Sequence, residues 1–159
     1  MAIEIERKFL VDDQKIDLNK VLPDPSAVTE IKQAFIVAQP DVNVRVRTYC
    51  QWPYRIPPRA ELAVKIGTGP IRNEYEQPMD LAEAEELLKK YPSIHKIRYI
   101  FHIENSARYW EVDKFLDAHE GLWLAEIELG SLDEEIELPD WIGEEVTWNA
   151  EYYNCNLAK

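Results

Sequence analysis

The sequence is short of cysteine, short of basic residues relative to acidic ones, and without any long apolar run. Cysteine occurs only at Cys50 and Cys155 in 159 residues. These two have no metal-ligand spacing, so free thiols in a reducing compartment are expected in place of a disulfide framework. Lysine and arginine number 18 against 30 aspartates and glutamates, a net charge of −12. Non-specific nucleic-acid binding needs a basic face, so no nucleic-acid partner is expected. A small anion remains possible if the bases gather in a cleft. No stretch approaches the roughly 18 apolar residues of a membrane-spanning helix. The N-terminus meets acidic residues at once and has no apolar h-region, so the expected location is the cytoplasm, with no membrane partner. Fixed-period repeats, low-complexity tracts and interdomain linkers are also missing. His95, His102 and His119 show no ligand spacing. With 46% apolar and 11% aromatic residues, the chain is expected to form one globular domain over residues 1–159.

What is present is a recurring alternation. Side chains of an extended strand point to opposite faces with period 2. In residues 3–9, Glu4, Glu6 and Lys8 share one face, while Ile3, Ile5 and Phe9 share the other, broken only by Arg7. Taken alone this is a half-solvated strand. The same arrangement returns with Arg45 and Arg47 against Val44 and Val46, and with Glu61, Ala63 and Lys65 against Leu62, Val64 and Ile66. It returns again at Arg72, Glu74 and Glu76, and at Lys96, Arg98 and His102 against Ile97, Tyr99 and Phe101. Glu111 and Asp113 then oppose Trp110 and Val112, and Glu126 and Glu128 oppose Ala125, Ile127 and Leu129. Residues 30–38 complete a set of about eight strands.

Two segments read as helices. In residues 12–22, Asp12 or Asp13 could cap a short helix with Leu18, Val21 and Leu22 on its apolar side, ended by Pro23 and Pro25. Asp80 opens a clearer one, with Glu83 three residues on and Leu81, Ala84, Leu88 and Tyr91 as its stripe, stopped by Pro92. Residues 50–60, with Pro53, Pro57, Pro58, Trp52 and Tyr54, read as a loop. Trp52, Tyr54 and Trp141 are expected to be packing groups, and the tail with Trp141, Val146, Trp148, Tyr152 and Tyr153 is expected to fold back onto the body. Glu134-Glu135 and Glu144-Glu145 read as solvated acids.

Short connections make the strands antiparallel. If the sheet closes into a barrel, alternation makes one face interior. The apolar faces and helices then pack outside, and the charged faces line a tunnel. Charges gathered inside must be paired or must hold something. Acids on one wall suit Mg²⁺ or Mn²⁺ with oxygen ligands. Bases on another suit phosphate, Arg as a fork and Lys as a point charge. The fold class expected is therefore mainly β with helices, an eight-stranded antiparallel tunnel with a charged interior, suited to a metal-chelated polyphosphate.

The segment Glu4-Ile5-Glu6-Arg7-Lys8 resembles the ExExK signature of the CYTH superfamily, the triphosphate tunnel metalloenzymes. Val44-Arg45-Val46-Arg47, Val64-Lys65-Ile66, Arg72 to Glu76, Lys96 to Tyr99, Trp110 to Phe115 and Leu124 to Leu129 follow in the family's order. Pro139 to Thr147 and Tyr152-Tyr153-Asn154 resemble its late segments, so the likeness spans nearly the whole chain. Three places depart from it: Ala34-Phe35 stands where the family has a glycine-aromatic pair, Asp117 where a glycine is expected, and Ala150 and Glu151 where basic residues are common just before the terminal Tyr-Asn motif. The resemblance implies a triphosphate substrate and a Mg²⁺ or Mn²⁺ cofactor. It puts Glu4, Glu6, Asp113, Glu126 and Glu128 on the metal side, with Glu74 and Glu76 binding metal or water. Lys8, Arg45, Arg47, Lys65, Arg72 and Arg98 would hold phosphate oxygens. Lys96 would be catalytic, helping to activate the attacking water, unless a second metal does so. The activity implied is hydrolysis of a triphosphate, foremost inorganic tripolyphosphate to phosphate and pyrophosphate. The alternatives are a class IV-type adenylyl cyclase making cyclic AMP from ATP, a thiamine triphosphatase, and a non-catalytic polyphosphate or nucleotide binder. A homodimer through exposed apolar strand faces is a further possibility.

Overall fold

The computed structural model describes residues 2–22, 24–51 and 57–159. Among them nine strands and two helices follow in the order β1 (Ala2–Val11), β2 (Val28–Ala38), β3 (Val42–Gln51), β4 (Arg59–Ile66), β5 (Ile71–Met79), α1 (Leu81–Lys90), β6 (Ser93–His102), β7 (Tyr109–Phe115), β8 (Trp123–Glu128), β9 (Ile142–Glu145) and α2 (Asn154–Leu157). Pro23, Trp52, Pro53 and Tyr54 lie outside the described residues.

Hydrogen bonding runs β5-β4-β3-β2-β6-β7-β8-β1, and β1 returns to β5, so eight antiparallel strands close a barrel. β1 is the closing strand. Residues 6–10 pair with β8, Ala2–Ile5 pair with β5, and further along Phe9 and Val11 pair with the short ninth strand. β9 was not legible in the sequence, because its four residues carry no alternation.

The apolar faces are sorted as alternation demands. Phe9, Tyr99, Phe101, Trp110, Val112, Ala125 and Ile127 form one cluster outside the barrel with Val21 and Trp141. Phe9 meets Trp110 edge-to-face at 5.6 Å, and Trp141 lies 5.3 Å from Phe101 and 5.8 Å from Trp110. Helix α1 covers β3 and β4 by setting Ala84, Leu81 and Leu87 on Val46, Ala60 and Leu62. Its start is as expected: the Asp80 side chain accepts from Glu83 N at 3.1 Å, a cap worth about 1 kcal/mol. On β4, β5 and the start of β1, Ile66, Ile71, Tyr75 and Ile3 remain exposed.

A third cluster is on the inward side. Phe35, Ile94, Phe115 and Leu124 pack with Val146, Ala158 and Leu157. Phe115 has the parity of Asp113, and Ile94 that of Lys96, so the interior is apolar at one end and charged along the rest. The C-terminal segment closes the apolar end, which is why the tail folds back.

Several expectations need correction. Residues 12–22 form no α-helix. The Asp12 carboxylate accepts from Gln14 N, bending the chain, and Asp17 then caps a single 3₁₀ turn at Leu18–Lys20. Trp148 is 71% exposed and does not join the core. It lies instead on the turn before β5, where Gly69 has φ +68° and a Cβ would come within 2.6 Å of the indole. Two of the four acids read as solvated are engaged. Glu134 takes Arg108 at 2.9 and 2.7 Å, and Glu145 takes Arg7 at 2.9 and 2.6 Å. Asp117 does adopt a glycine-like conformation, φ +55°, with its carboxylate on His95 at 3.1 Å.

Candidate active site

The inward faces of the barrel enclose a cavity of about 190 Å³. β1 supplies Glu4, Glu6 and Lys8, and β8 supplies Glu126 and Glu128. Arg45 and Arg47 come from β3, Lys65 from β4, Arg72, Glu74 and Glu76 from β5, and Arg98 from β6. Register explains the grouping: Glu6 stands opposite Glu128, Lys8 opposite Glu126, and Lys65 opposite Glu74. Twelve of the fourteen residues proposed from sequence therefore share one cavity wall. Glu76, with a side chain 45% exposed, sits at its outer margin.

Lys96 and Asp113 are buried beside the cavity and do not line it. The Lys96 ammonium is 0% exposed and donates to Asp113 at 2.7 Å and to Asn154 Oδ1 at 3.3 Å. Arg98 grips the same carboxylate through Nε at 2.7 Å and Nη2 at 2.8 Å, and also pairs with Glu111. Asp113 thus accepts from two cations. Burial alone would raise its pKa, but Arg98 and Lys96 bring it to about 2. Burial pulls Lys96 down to about 7 in spite of Asp113, with Arg98 pushing the same way as burial.

Residues not proposed from sequence complete the lining: Phe35, Asn43, Glu111, Tyr153, Asn154 and Cys155. Glu111 was within reach, since it has the parity of Asp113. The last three could not be placed by periodicity, because they belong to the C-terminal closure. Lys8 fastens that closure by donating to Tyr152 O at 2.9 Å, and the Tyr153 ring lies 5.8 Å from Lys8 and 5.9 Å from Arg72.

Most of these charges hold one another. Lys65 bridges Glu4 at 2.6 Å and Glu6 at 3.3 Å, Lys8 meets Glu126 at 3.4 Å, and Arg45 meets Glu74 at 3.2 Å. Burial would raise the Glu6 pKa, but Lys65 outweighs it. Glu74, Glu111 and Glu128 stay raised, first by burial and then by neighbouring carboxylates. Acids so crowded that three resist ionisation are a donor set of oxygens short of cations, which fits Mg²⁺ or Mn²⁺ in kind. Among the described residues no group of three such side chains is already arranged to hold a metal ion.

The match with known proteins is full-length. Residues 2–159 match the CYTH domain model. This chain belongs to the CYTH family. An inorganic triphosphatase of Acetivibrio thermocellus is 40% identical over a 165-residue alignment that takes in all of this chain and 95% of the relative. A crystal structure of the inorganic triphosphatase NE1496 superposes with a TM-score of 0.63 at 28% identity, covering 99% of this chain and 95% of the other. A second, described as the hypothetical protein NE1496, gives 0.62 at 28% identity with 98% and 97% covered. The CYTH barrel accounts for the closed strand order seen here. Among the described residues no helix is long and apolar enough to cross a membrane.

Proposed function

We propose that this CYTH protein is a metal-dependent triphosphatase whose substrate is inorganic tripolyphosphate, released as phosphate and pyrophosphate. One observation carries the reading: a small cavity whose walls are almost wholly charged, acids facing bases. At about 190 Å³ it falls below the roughly 300 Å³ at which pockets for drug-sized ligands begin. Apart from Phe35, Tyr153 and Cys155, every lining residue is ionic or an amide. That suits a bare phosphate chain, and among the described residues this lining offers no apolar shelf for a nucleobase or thiazole. The full-length similarity to an inorganic triphosphatase supports the same substrate.

Phosphoryl transfer asks mainly for positioning and charge neutralisation. Arg45, Arg47, Arg72, Arg98, Lys8 and Lys65 would bind and orient the phosphate oxygens. Arg47 and Arg72 have no carboxylate partner among the described residues, so they meet the substrate without first breaking a pair. Glu4, Glu6, Glu126 and Glu128, joined by Glu111 and with Glu74 and Glu76 behind, would hold Mg²⁺ or Mn²⁺. The bound cation would screen phosphate charge and make the phosphorus a better electrophile. Lys65 and Lys8 would pass from these acids to the substrate. With a pKa of about 7, Lys96 can give up or hold a proton at neutral pH, and Asn154 and Asp113 fix its nitrogen.

The test is product analysis. Tripolyphosphate, ATP and thiamine triphosphate are each incubated with the purified protein and Mg²⁺ or Mn²⁺, and phosphate, pyrophosphate and cyclic AMP are followed. Fast phosphate release from tripolyphosphate, with the two organic triphosphates slow, is expected. Cyclic AMP from ATP, or turnover without any divalent ion, would sink the proposal.

A further inference from the structure

Arg47 is an exception among the buried bases of the barrel. Arg45, Lys65, Lys96 and Arg98 each have a carboxylate within ion-pair distance. Arg47, only 5% exposed, has none among the described residues. Its Nε donates to the Gln33 side-chain oxygen at 2.7 Å and its Nη1 to the Tyr49 hydroxyl at 3.2 Å. Both acceptors are neutral.

The lack of a partner is not for want of a nearby acid. Glu61 on β4 stands directly opposite Arg47 in the β3–β4 register, so the two share the inward face. Opposite charges facing each other across antiparallel strands ordinarily pair. Here Glu61 accepts a hydrogen bond from the Tyr49 hydroxyl at 2.9 Å, and its nearest cation among the described residues is Arg45 at 4.0 Å. The phenol uses both of its functions: the O–H goes to Glu61, and a lone pair accepts from Arg47. The Tyr49 ring is fixed in turn by the guanidiniums of Arg47 and Arg59, 5.5 and 4.8 Å from its centroid.

We propose that Tyr49 is a positioning residue for the triphosphate. Its hydroxyl keeps Glu61 off Arg47 and so leaves the Arg47 guanidinium uncompensated and directed at the cavity it lines. Gln33, 0% exposed, does the same from β2 by offering an amide oxygen where a carboxylate would cancel the charge. An arginine already holding Glu61 would have to lose it before taking a phosphate oxygen. The inference rests on the cavity being a triphosphate site.

Four variants test it with tripolyphosphate as the probe: Tyr49→Phe, Glu61→Gln, the double variant and Arg47→Ala. KM and kcat are measured for each, and a melting curve confirms folding. Tyr49→Phe keeps the ring and its cation contacts but frees Glu61. KM is expected to rise about tenfold, the scale of one charge-assisted hydrogen bond, with kcat within about twofold. Glu61→Gln in the same chain is expected to bring KM back to within about twofold of wild type, because no carboxylate is left to capture Arg47. An unchanged KM in Tyr49→Phe, or a double variant as impaired as the single, overturns the proposal. Should Tyr49→Phe fail to fold, Gln33→Glu delivers a carboxylate to Arg47 with Tyr49 in place. A similar rise in KM is expected, and its absence overturns the idea. Arg47→Ala keeps the two failures apart. If it leaves KM unmoved, the triphosphate site itself is misassigned. If it raises KM while Tyr49→Phe does not, only the role of Tyr49 falls.

Discussion

Replacing Asp113 with asparagine should destabilise the barrel well before it alters metal dependence. The carboxylate is 1% exposed and accepts from Arg98 Nε, Arg98 Nη2 and Lys96 Nζ, all within 2.8 Å. Asparagine keeps the shape but offers one oxygen, and its NH₂ would face donors. Removing one partner of a buried ion pair typically costs about 3–5 kcal/mol. Two features of this site favour the lower end. Lys96, with its pKa already pulled down to about 7, can shed its proton cheaply at pH 8. Arg98 keeps Glu111. A loss of about 3 kcal/mol follows, which for a chain of this size lowers Tm by about 6–12 °C. The assay is thermal unfolding of the metal-free wild type and variant at pH 8, with urea unfolding alongside to give the free energy. Adding Lys96→Met should recover part of the loss, because the buried amine left without its Asp113 acceptor is removed. A Tm within about 2 °C of wild type, combined with lost metal activation, would refute this reasoning and return Asp113 to the metal ligands.

Two further outcomes are expected. Between pH 7 and the ordinary lysine value of 10.5, unfolded Lys96 is protonated and folded Lys96 is not. The unfolded state then binds more protons, so stability should rise with pH, by roughly 5 kcal/mol at the upper bound. Asp113 acts in the acid range: its contribution is complete above 3.8 and is lost as pH falls through about 2. Urea unfolding at pH 7 and 9.5 checks the alkaline limb, and a slope that survives Lys96→Met would show the cause lies elsewhere. Glu128→Gln or Glu4→Gln should raise the Mg²⁺ needed for half-maximal activity about tenfold, with excess metal restoring part of the rate. A metal titration curve superimposable on that of wild type would remove these acids from the site.

The barrel was legible because period-2 alternation is a local property, and a closed sheet turns it directly into inside and outside. Glu4, Glu6, Lys8, Arg45, Arg47 and Lys65 needed nothing more to be placed on one wall. The pairings were not legible. Arg7 finds Glu145 across 138 residues, and nothing near either shows it. Asp113 reads like Glu126 and Glu128 in sequence, yet only its cross-strand position opposite Arg98 makes it an internal counter-ion. The segment 12–22 misled because Leu18, Val21 and Leu22 have helical spacing, while Asp12 and Asp17 divert the backbone into separate turns. Asn154 and Cys155 reach the cavity only because the interior is apolar at one end and draws the tail onto it.

The closure of the ring through β1 has a cost in time. This strand leaves the ribosome ahead of the other strands of the barrel, but its partner residue for Glu6 is Glu128, and β5 pairs only with Ala2–Ile5 before then. At roughly 5–20 residues per second, the 122 residues from Arg7 to Glu128 take about 6–24 s to synthesise. Throughout that interval Phe9, later among the most deeply buried side chains, has nothing to pack against on β8. Topologies that close on such distant pairs fold slowly. Nascent chains of this protein therefore expose a sticky first strand for much of their synthesis, and chaperone demand should track translation speed more than final stability.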